Sequence, residues 1–357
     1  MKALLLTAPS VLELTDFAEP EIGPGEVLVR VRACGICGSD IHGWDGSSGR
    51  RQPPLIMGHE ASGEIARVGP QVTRWRAGDR VTFDSTIYCG ECAFCRSGQV
   101  NLCDNRRVVG VSPREYKQHG AFAEFVALPE RILYRLPDTI AFPQAAMIEP
   151  VSIAIHAVRR LMPNAGKQPG VRRSELGGAA SAVVVGSGMI GLLVIQALRW
   201  AGMETVIAVD LEEKRLAVAR ELGATHTFNS ASADVPAEVA KLTAGRGADY
   251  AFEVVGISPT LNLAIASLRR GGSAVLVGNL AAKTDFPMQA VVTKELTLYG
   301  TCGSAGEYPL CLELIANGTI RVEPMMTAVA PLDEGKAWFE RLSAKDGGKF
   351  MKVILTP

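Results

Sequence analysis

The chain has no excess of charge of either sign and no long uninterrupted apolar run. Its 357 residues carry 37 Lys and Arg against 37 Asp and Glu, so composition gives no reason to expect a nucleic acid or an anionic membrane as partner. The longest apolar stretches, near 182–198, are interrupted by Ser187, Gln196 and glycines, which excludes a membrane span there. We therefore predict a small-molecule ligand rather than a macromolecular or lipid one.

The first residues, MKALLLTAPS, contain only a short apolar run, Ala3 to Leu6, which ends at Thr7 and Pro9. A secretory signal needs a longer run, so we expect a first β-strand and a cytoplasmic protein, in a compartment where disulfides are rare. The apolar fraction of 47% and charged fraction of 21% are typical of globular chains. The length is sufficient for two domains.

Four of the eight cysteines lie within the stretch YCGECAFCRSGQVNLC, residues 88–103. They are Cys89, Cys92, Cys95 and Cys103. A ferredoxin-type cluster run closes with a shorter gap and Cys-Pro, whereas Asp104 follows here, and loose buried thiols would require four coincidences. We predict a structural zinc site, which has no open position for a substrate because all ligands come from the protein.

A second metal site is suggested upstream by CGICGSDIH (34–42) and MGHEASGEI (57–65). The alternating segment GEVLVRVRA before the first predicts a half-buried strand, which places Cys37 at a strand end. Cys37, His59 and Glu60 offer thiolate, imidazole and carboxylate, a mixed set suited to zinc with one position open. Each residue alone also has a structural interpretation, and a redox pair of Cys37 with Cys34 lacks the surrounding βαβ pattern. Cys34 itself is typical of a small core residue.

The central segment SAVVVGSGMIGLLVIQALRWAGMETVIAVD, residues 181–210, predicts a strand, a glycine turn, a helix and a second strand. Its G-x-G-x-x-G motif and terminal Asp210 match the dinucleotide fingerprint in context. Gly186 would make the turn, Gly188 would admit a pyrophosphate, and Gly191 would let the helix pack closely on the strand. The helix N-terminus favours phosphate. Asp210 would bind the ribose hydroxyls, which favours NAD over NADP.

Lys214 and Arg215 lie close to Asp210 and keep NADP as the less favoured alternative, and Asp210 could also serve as the N-cap of the following helix. The Gly- and Pro-rich segment 163–178 before the first nucleotide strand predicts a surface loop. Further candidate cofactor contacts are Met189, Ile190, Arg215, Val255 and Gly278.

Additional βα units follow the fingerprint. ADYAFEVVG (248–256) and GSAVLVG (272–278) predict strands, with a helix over 258–271 between them. After about residue 290 the pattern changes to ELTLYG and then a helix beginning at Tyr308. The repeated strand and helix pattern predicts a doubly wound parallel sheet, an α/β fold.

Taken together, these motifs resemble the zinc-dependent medium-chain dehydrogenases/reductases of the alcohol dehydrogenase superfamily, closest to the polyol and sorbitol dehydrogenase-like branch. The resemblance runs nearly end to end. Its other motifs are WRAGDRV (75–81), HGAFAEF (119–125), IEPVSIAIHAV (148–158) and FEVVG (252–256). It implies a GroES-like, β-rich catalytic domain of residues 1–150 and 290–357, a Rossmann NAD-binding domain of residues 151–289, an active site in the cleft and a homodimer or homotetramer.

The resemblance implies roles for individual residues. Cys37, His59 and Glu60 match the catalytic zinc ligands, and Glu149 matches an acid that binds this zinc directly or through water. The alternative for Glu149 is a charge favourable at a helix start. The resemblance further implies that Asp40 orients His59, that Ser39 is the relay hydroxyl and that His42 passes the proton to solvent. Alternatively Ser39 caps a turn and His42 is a surface histidine, while His119 and His156 are expected to be structural.

The expected substrate is a secondary alcohol or polyol. The arginine that grips free sorbitol in this branch is absent from YGTCGSAGEYP (299–309), so a threonine-like or simple secondary alcohol remains an alternative. The resemblance places Cys302 near the nicotinamide and Trp44, Phe83 and Tyr116 around the pocket. Two other functions compete with this one: a zinc-independent quinone or enoyl reductase, which usually lacks the zinc ligands, and a non-catalytic NAD-binding sensor.

Overall fold

The computed structural model describes residues 1–165, 174, 175, 177, 179–344 and 349–357. Most of the loop predicted over 163–178 therefore lies outside the described residues. The described chain divides into two compact units. The first contains Met1–Glu149, Ser304–Gly318 and Val322–Pro357, and the second contains Pro150–Gly303 and Thr319–Arg321.

The regular elements are numbered in chain order. Up to residue 161 they are β1 (Lys2–Ala8), β2 (Val11–Asp16), β3 (Glu26–Gly35), α1 (Gly38–Trp44), β4 (Leu55–Ile56), β5 (Glu60–Val68), β6 (Arg80–Phe83), β7 (Thr86–Ile87), α2 (Ala93–Arg96), β8 (Arg107–Val108), β9 (Phe125–Pro129), β10 (Leu133–Arg135), α3 (Phe142–Ala146) and α4 (Ile148–Leu161). Those of the second unit that follow are β11 (Ser181–Val185), α5 (Met189–Trp200), β12 (Thr205–Asp210), α6 (Glu213–Glu221), β13 (His226–Asn229), α7 (Val235–Leu242), β14 (Ala248–Glu253), α8 (Ser258–Ser267), β15 (Leu268–Leu276), α9 (Met288–Thr293) and β16 (Thr297–Gly300). The last are α10 (Tyr308–Ala316), β17 (Met326–Pro331), α11 (Gly335–Ser343) and β18 (Lys352–Thr356).

The first unit is built around a mainly antiparallel sheet in which β3 is central. The strand order is β10-β6-β5-β3-β18-β17, and β9 also pairs with β3. Along β3 the side chains of Val27, Val29 and Val31 are buried while Arg30 and Arg32 face outward, the alternation expected of a strand with one buried face. This confirms the strand predicted before Cys37.

The second unit is a six-stranded parallel sheet with the order β13-β12-β11-β14-β15-β16. This is the order of a doubly wound dinucleotide-binding sheet, in which the strand order reverses between β11 and β14. Every residue of β11 is buried, as expected for a parallel strand covered on both faces. The sheet confirms the predicted fold class.

The last strand of this sheet affects the division of the chain. Strand β16 pairs in parallel with β15, matching Ser273 to Thr297 and Leu276 to Gly300. The second unit therefore continues past residue 290, where the sequence pattern places the return to the first domain, and the first unit resumes at Ser304.

Candidate metal and cofactor sites

Cys37, His59 and Glu60 come together in the first unit, where one donor atom from each lies within 4.8 Å of the others. The register of the sheet brings them there, because Gly35 at the end of β3 pairs with Glu60 at the start of β5. Cys37 then takes an extended backbone conformation as the N-cap of α1. The three donors thus lie close together because a strand end, a turn and a helix start meet there.

Two glycines give these donors their space. A Cβ on Gly35 would lie 2.4 Å from Glu60 Oε2, and a Cβ on Gly58 would lie 2.9 Å from both the Cys34 sulfur and the Phe122 ring. Gly58 also has a φ of +93°, a conformation that side chains with a Cβ rarely adopt. The chain before His59 therefore depends on glycine, and Cys34 is a buried core residue, as predicted.

Asp40 contacts His59 and is completely buried. Its Oδ1 is 3.3 Å from His59 Nδ1, although the pair lacks hydrogen-bond alignment, and its Oδ2 accepts the Cys37 N–H at 3.1 Å. Burial alone would raise the pKa of Asp40, but the charges of His59 and Arg51 hold it at about 2. Burial lowers the pKa of His59, and Asp40 more than reverses this. This contact is the one expected of an acid that orients a metal-binding histidine.

Glu60 forms a buried ion pair with Lys352 of β18. The Lys352 Nζ lies 2.5 Å from Glu60 Oε2 and donates to the Ile36 carbonyl at 3.1 Å, and both charged side chains are essentially inaccessible to water. Burial lowers the pKa of Lys352, but the Glu60 charge outweighs it and leaves the pKa raised. One carboxylate oxygen of Glu60 is thus held by Lys352, which leaves the other for a metal.

Glu149 stands apart from the three donors. It is half-buried at the start of α4 and lies outside the set of donor atoms within 4.8 Å that the described residues form. Loss of water raises its pKa to about 7, and the Glu60 charge adds to this while His59 and Lys352 oppose it. Its carboxylate therefore interacts electrostatically with the site and lies outside the three-donor group.

The two predicted relay residues lie on α1. Ser39 Oγ accepts a hydrogen bond from Arg51 NH2 at 2.9 Å. His42 is about half exposed, and its Nδ1 is 4.0 Å from the Asp45 carboxylate. Exposure suits a group that exchanges protons with solvent.

Other expected site residues have structural contacts. Trp44 and Phe83 belong to the hydrophobic core of the first unit, where Trp44 meets Phe339 edge to face. The half-buried Tyr116 accepts the Val108 N–H at its hydroxyl. His119 Nδ1 accepts the Ile56 N–H at 3.2 Å, which confirms its structural role.

The sulfur atoms of the cysteine quartet also converge within 4.8 Å of one another. Helix α2 within this segment has no buried residue. The N–H groups of Glu91 and Cys92 lower the pKa of Cys89 to about 6, whereas desolvation raises the pKa of Cys95 to about 12. Four converging thiols, in a segment whose helix α2 buries no side chain, fit the tetrahedral coordination of a structural zinc ion.

The glycine motif has the geometry predicted for a dinucleotide turn. Gly186 has a φ of +102°, and a Cβ on Gly191 would lie 1.9 Å from the Gly186 carbonyl oxygen. In contrast, a Cβ on Gly188 would meet nothing within 4 Å, and Gly188 is the N-cap of α5. The open space in front of this helix start fits a phosphate group. Met189 and Ile190 follow in the first turn and are half-buried.

Asp210 ends β12 next to this turn. Its Oδ2 accepts the Ser187 N–H at 2.6 Å, and its Oδ1 accepts the N–H groups of Leu211 and Glu212 at 2.8 and 3.0 Å. Arg215 lies 3.9 Å away. The carboxylate is fixed beside the glycine turn, at the position of the fingerprint acid, and it also caps the following turn.

Val255 and Gly278 follow the ends of β14 and β15. A Cβ on Gly278 would lie 2.1 Å from the Gly256 nitrogen and 2.3 Å from the Val255 carbonyl carbon. The two turns therefore touch backbone to backbone. They lie at the same edge of the parallel sheet as the ends of β11 and β12. The structure brings these two candidates together in the second unit.

The donor chemistry of both metal sites agrees with comparisons to known proteins. The family model for the alcohol dehydrogenase GroES-like domain matches residues 23–138, and that for zinc-binding dehydrogenases matches residues 190–317. Sorbitol dehydrogenase of Bacillus subtilis is 33% identical over all of this chain and 97% of its own length. The chain belongs to the zinc-dependent medium-chain dehydrogenases.

Solved structures give the same family. The (2R,3R)-butanediol dehydrogenase of Bacillus subtilis aligns with a TM-score of 0.84 at 31% identity, over all of this chain and 99% of that one. A zinc-binding dehydrogenase of Sinorhizobium meliloti bound to NADP aligns with a TM-score of 0.87 at 29% identity and the same coverage. The protein is thus an oxidoreductase of this family that uses zinc and a nicotinamide dinucleotide. Among its described residues no helix is both long and apolar enough to cross a membrane.

Two residues that contact the candidate site are missed by sequence reasoning. Lys352 lies in the C-terminal strand, 292 positions from Glu60, and Arg51 lies in a loop without a motif. Neither has a local signal, because their roles arise from contacts made only in the folded chain.

Proposed function

We propose that the protein transfers a hydride between a secondary alcohol or polyol and NAD, using zinc held by Cys37, His59 and Glu60. The observation that supports this most strongly is the convergence of these three donors within 4.8 Å. Thiolate, imidazole and carboxylate from the protein leave one position for the substrate oxygen. When bound, the zinc ion supplies Lewis-acid polarisation of that oxygen.

The protein groups around the substrate oxygen would handle the proton. Ser39 Oγ would accept the proton of the alcohol, and His42 would pass it to solvent, as its exposure allows. Asp40 would hold the His59 ring in place through the Nδ1 side. We propose that Glu149 supports the zinc site, directly or through a bridging water, from its place outside the three-donor set.

We propose that a second zinc ion is held by the quartet Cys89, Cys92, Cys95 and Cys103 and has a structural role. All four positions would be filled by sulfur, so no substrate could bind to it. The short α2 without buried side chains supports this role, since the segment has little apolar packing of its own.

The cofactor would be NAD, with its pyrophosphate at Gly186, Gly188 and Gly191 and its ribose at Asp210. The Asp210 carboxylate would repel the 2′-phosphate of NADP. The NADP-bound relative and the nearby Arg215 keep NADP as the alternative cofactor. Contacts from Met189, Ile190, Val255 and Gly278 would complete the site.

A polyol or vicinal diol is the favoured substrate class. Relatives named for sorbitol and for 2R,3R-butanediol support it, and the missing arginine argues against free sorbitol itself. We further propose that residues 1–150 and the C-terminal return form the catalytic domain and the second unit the NAD-binding domain. We also propose a homodimer or homotetramer located in the cytoplasm, where cysteine thiols would remain reduced.

A substrate panel tests the proposal directly. Secondary alcohols, vicinal diols and sugar alcohols are incubated with NAD or NADP, and formation of the reduced cofactor is read by near-ultraviolet absorbance. Reduction with at least one diol or polyol, lost on chelation and restored by zinc, is expected. Failure across the panel while NAD still binds would support a non-catalytic sensor instead.

A further inference from the structure

Arg51 is a buried cation whose side chain reaches two residues of the proposed active site. Its NH2 group donates to Ser39 Oγ at 2.9 Å and to Asp40 Oδ1 at 3.2 Å. Only 5% of its side chain is exposed, and the Asp40 side chain is fully buried. One nitrogen therefore joins the predicted relay hydroxyl to the carboxylate that faces His59.

The backbone of the loop holds Arg51 firmly in this position. Arg51 forms a β-bridge with Ser112, whose N–H donates to the Arg50 carbonyl and whose carbonyl accepts the Gln52 N–H. These bonds on both sides of Arg51 fix its Cα. The side chain therefore enters the site from an anchored strand-like segment rather than from a free loop.

Helix α1 is shaped to admit this side chain. A Cβ on Gly43 would lie 1.8 Å from Arg51 Cδ and 2.8 Å from its Nε, so only glycine leaves room for the arginine. Gly43 is not required for a turn, because it lies inside the helix, where glycine is unfavourable relative to alanine. The helix thus gives up local stability at Gly43, where the Arg51 side chain packs against it.

The Nε group of Arg51 has no hydrogen-bond partner within the described part of the chain, although it is buried. Burying an unpaired N–H is unfavourable. The guanidinium group is therefore not placed to satisfy all its own donors. Among the residues that the structure describes, its hydrogen bonds to side chains both go to α1, at Ser39 and Asp40. Broken local rules of this kind tend to mark functional positions.

We propose that Arg51 is a positioning residue that fixes Asp40, and through it the His59 ligand, and at the same time directs the Ser39 hydroxyl. Because NH2 donates to Ser39 Oγ, the Ser39 proton must point away from Arg51, which leaves it free for a second partner. Asp40 Oδ1 contacts both Arg51 and His59, and Oδ2 accepts the Cys37 N–H, so the carboxylate cannot rotate without losing a buried contact. The Ser39 part of this proposal rests on the proposed function, whereas the His59 part requires only that the site binds metal.

Metal affinity provides the first test. The full-length Arg51→Met protein is titrated with Co²⁺ or Zn²⁺ against a chelator, and cobalt spectra are used to follow the Cys37 site and the quartet separately. We expect the dissociation constant at the Cys37 site to rise about tenfold, since removing outer contacts of ligands typically costs about 10–100-fold. The affinity of the quartet serves as an internal control and should not change.

A second variant, Gly43→Ala, retains the Arg51 charge but displaces it from α1. Gly43→Ala would push Arg51 away from α1, so we expect it to weaken metal binding at the Cys37 site as Arg51→Met does. Arg51→Lys, which retains a donor but not the planar fork, should fall between wild type and Arg51→Met. Arg67→Met is the matched control, because Arg67 makes an exposed pair with Glu19 in the same unit.

Activity provides a readout for Ser39. Arg51→Met should lower kcat with little change in KM for NAD, and the decrease should be smaller in a Ser39→Ala background if the two residues are coupled. Wild-type metal affinity at the Cys37 site in both Arg51→Met and Gly43→Ala would overturn the proposal. If both variants lose affinity but the wild type oxidises no alcohol, Arg51 keeps its positioning role and the proposed function fails.

Discussion

Gly35 is a position where one added side-chain atom would disturb the proposed metal site. A Cβ added at this residue would lie 2.4 Å from Glu60 Oε2, which is shorter than any normal contact. The carboxylate cannot retreat freely, because Lys352 holds the same oxygen at 2.5 Å. The position of Glu60 therefore depends both on the space left by Gly35 and on the charge of Lys352.

The variant Gly35→Ala should displace Glu60 and weaken zinc binding at the Cys37 site. Overpacking of a filled interior costs about 1–3 kcal/mol, so the protein should also be modestly less stable. Metal analysis after dialysis against a weak chelator measures the first effect, with Gly25→Ala as the control, since a Cβ there meets nothing within 4 Å. Equal zinc retention in both variants would contradict this view of Gly35.

Lys352 is the counter-charge of Glu60, and its removal should be costly in the metal-free protein. Taking away one partner of a buried pair leaves an uncompensated charge and destabilises by about 3–5 kcal/mol. We expect Lys352→Met to lower the free energy of unfolding by this order in denaturant titrations. The double variant Lys352→Met/Glu60→Gln should recover much of the loss, and its failure to do so would argue against pairing as the cause.

We propose that Asp210 decides between the two dinucleotides. Replacing it with asparagine keeps the shape but removes the charge that would repel a 2′-phosphate. The ratio of kcat/KM for NAD to kcat/KM for NADP should therefore fall in Asp210→Asn. An unchanged ratio would mean that another group, such as Arg215, determines the choice.

In the turn between β11 and α5, one glycine allows close packing and another leaves space for a ligand. A Cβ on Gly191 would collide with the Gly186 carbonyl oxygen, whereas a Cβ on Gly188 would point into open space. Helix and strand can approach closely only because residue 191 is glycine. Gly188 leaves open space, in which the phosphate of the proposed cofactor would fit.

The two glycines should consequently respond differently to alanine. Gly188→Ala should fold with the Tm of the wild type but bind NAD more weakly, because its methyl group would occupy the phosphate cradle. Gly191→Ala should lose thermal stability as well. Calorimetric measurement of NAD binding and of Tm in both variants distinguishes them, and equal stability loss in the two would contradict the division of roles.

The cysteine segment contrasts with the rest of the first unit, which has an extensive core. Since α2 buries no side chain, we expect Cys92→Ser to expose residues 88–104 to limited proteolysis while zinc at the Cys37 site is retained. Cleavage at these residues in the wild type at the same rate would show that zinc does not hold the segment.

At the scale of the whole molecule, features encoded locally can be predicted and features made by distant contacts cannot. The quartet spacing and the glycine fingerprint each lie within one short stretch, so the sequence is sufficient to predict them. Cys37 and His59 can be assigned to one metal site from their donor types and from the family resemblance. The contact of Arg51 with Asp40 depends on its bridge to Ser112 and on the gap at Gly43, and no pattern around Arg51 encodes either.

The division of the chain shows the same limit. The sequence pattern changes near residue 290, but β16 still pairs with β15, so the second sheet extends further along the chain than the pattern indicates. A short edge strand such as Thr297–Gly300 has too few residues for its partner to be inferred from alternation alone.

The central claim is that a zinc ion binds among Cys37, His59 and Glu60. Anomalous diffraction at the zinc absorption edge, from crystals of the protein purified with zinc, tests it most directly. We expect about two zinc peaks per chain, one among these three side chains and one at the cysteine quartet. A single peak at the quartet, with the three donors intact and no ion among them, would contradict the account.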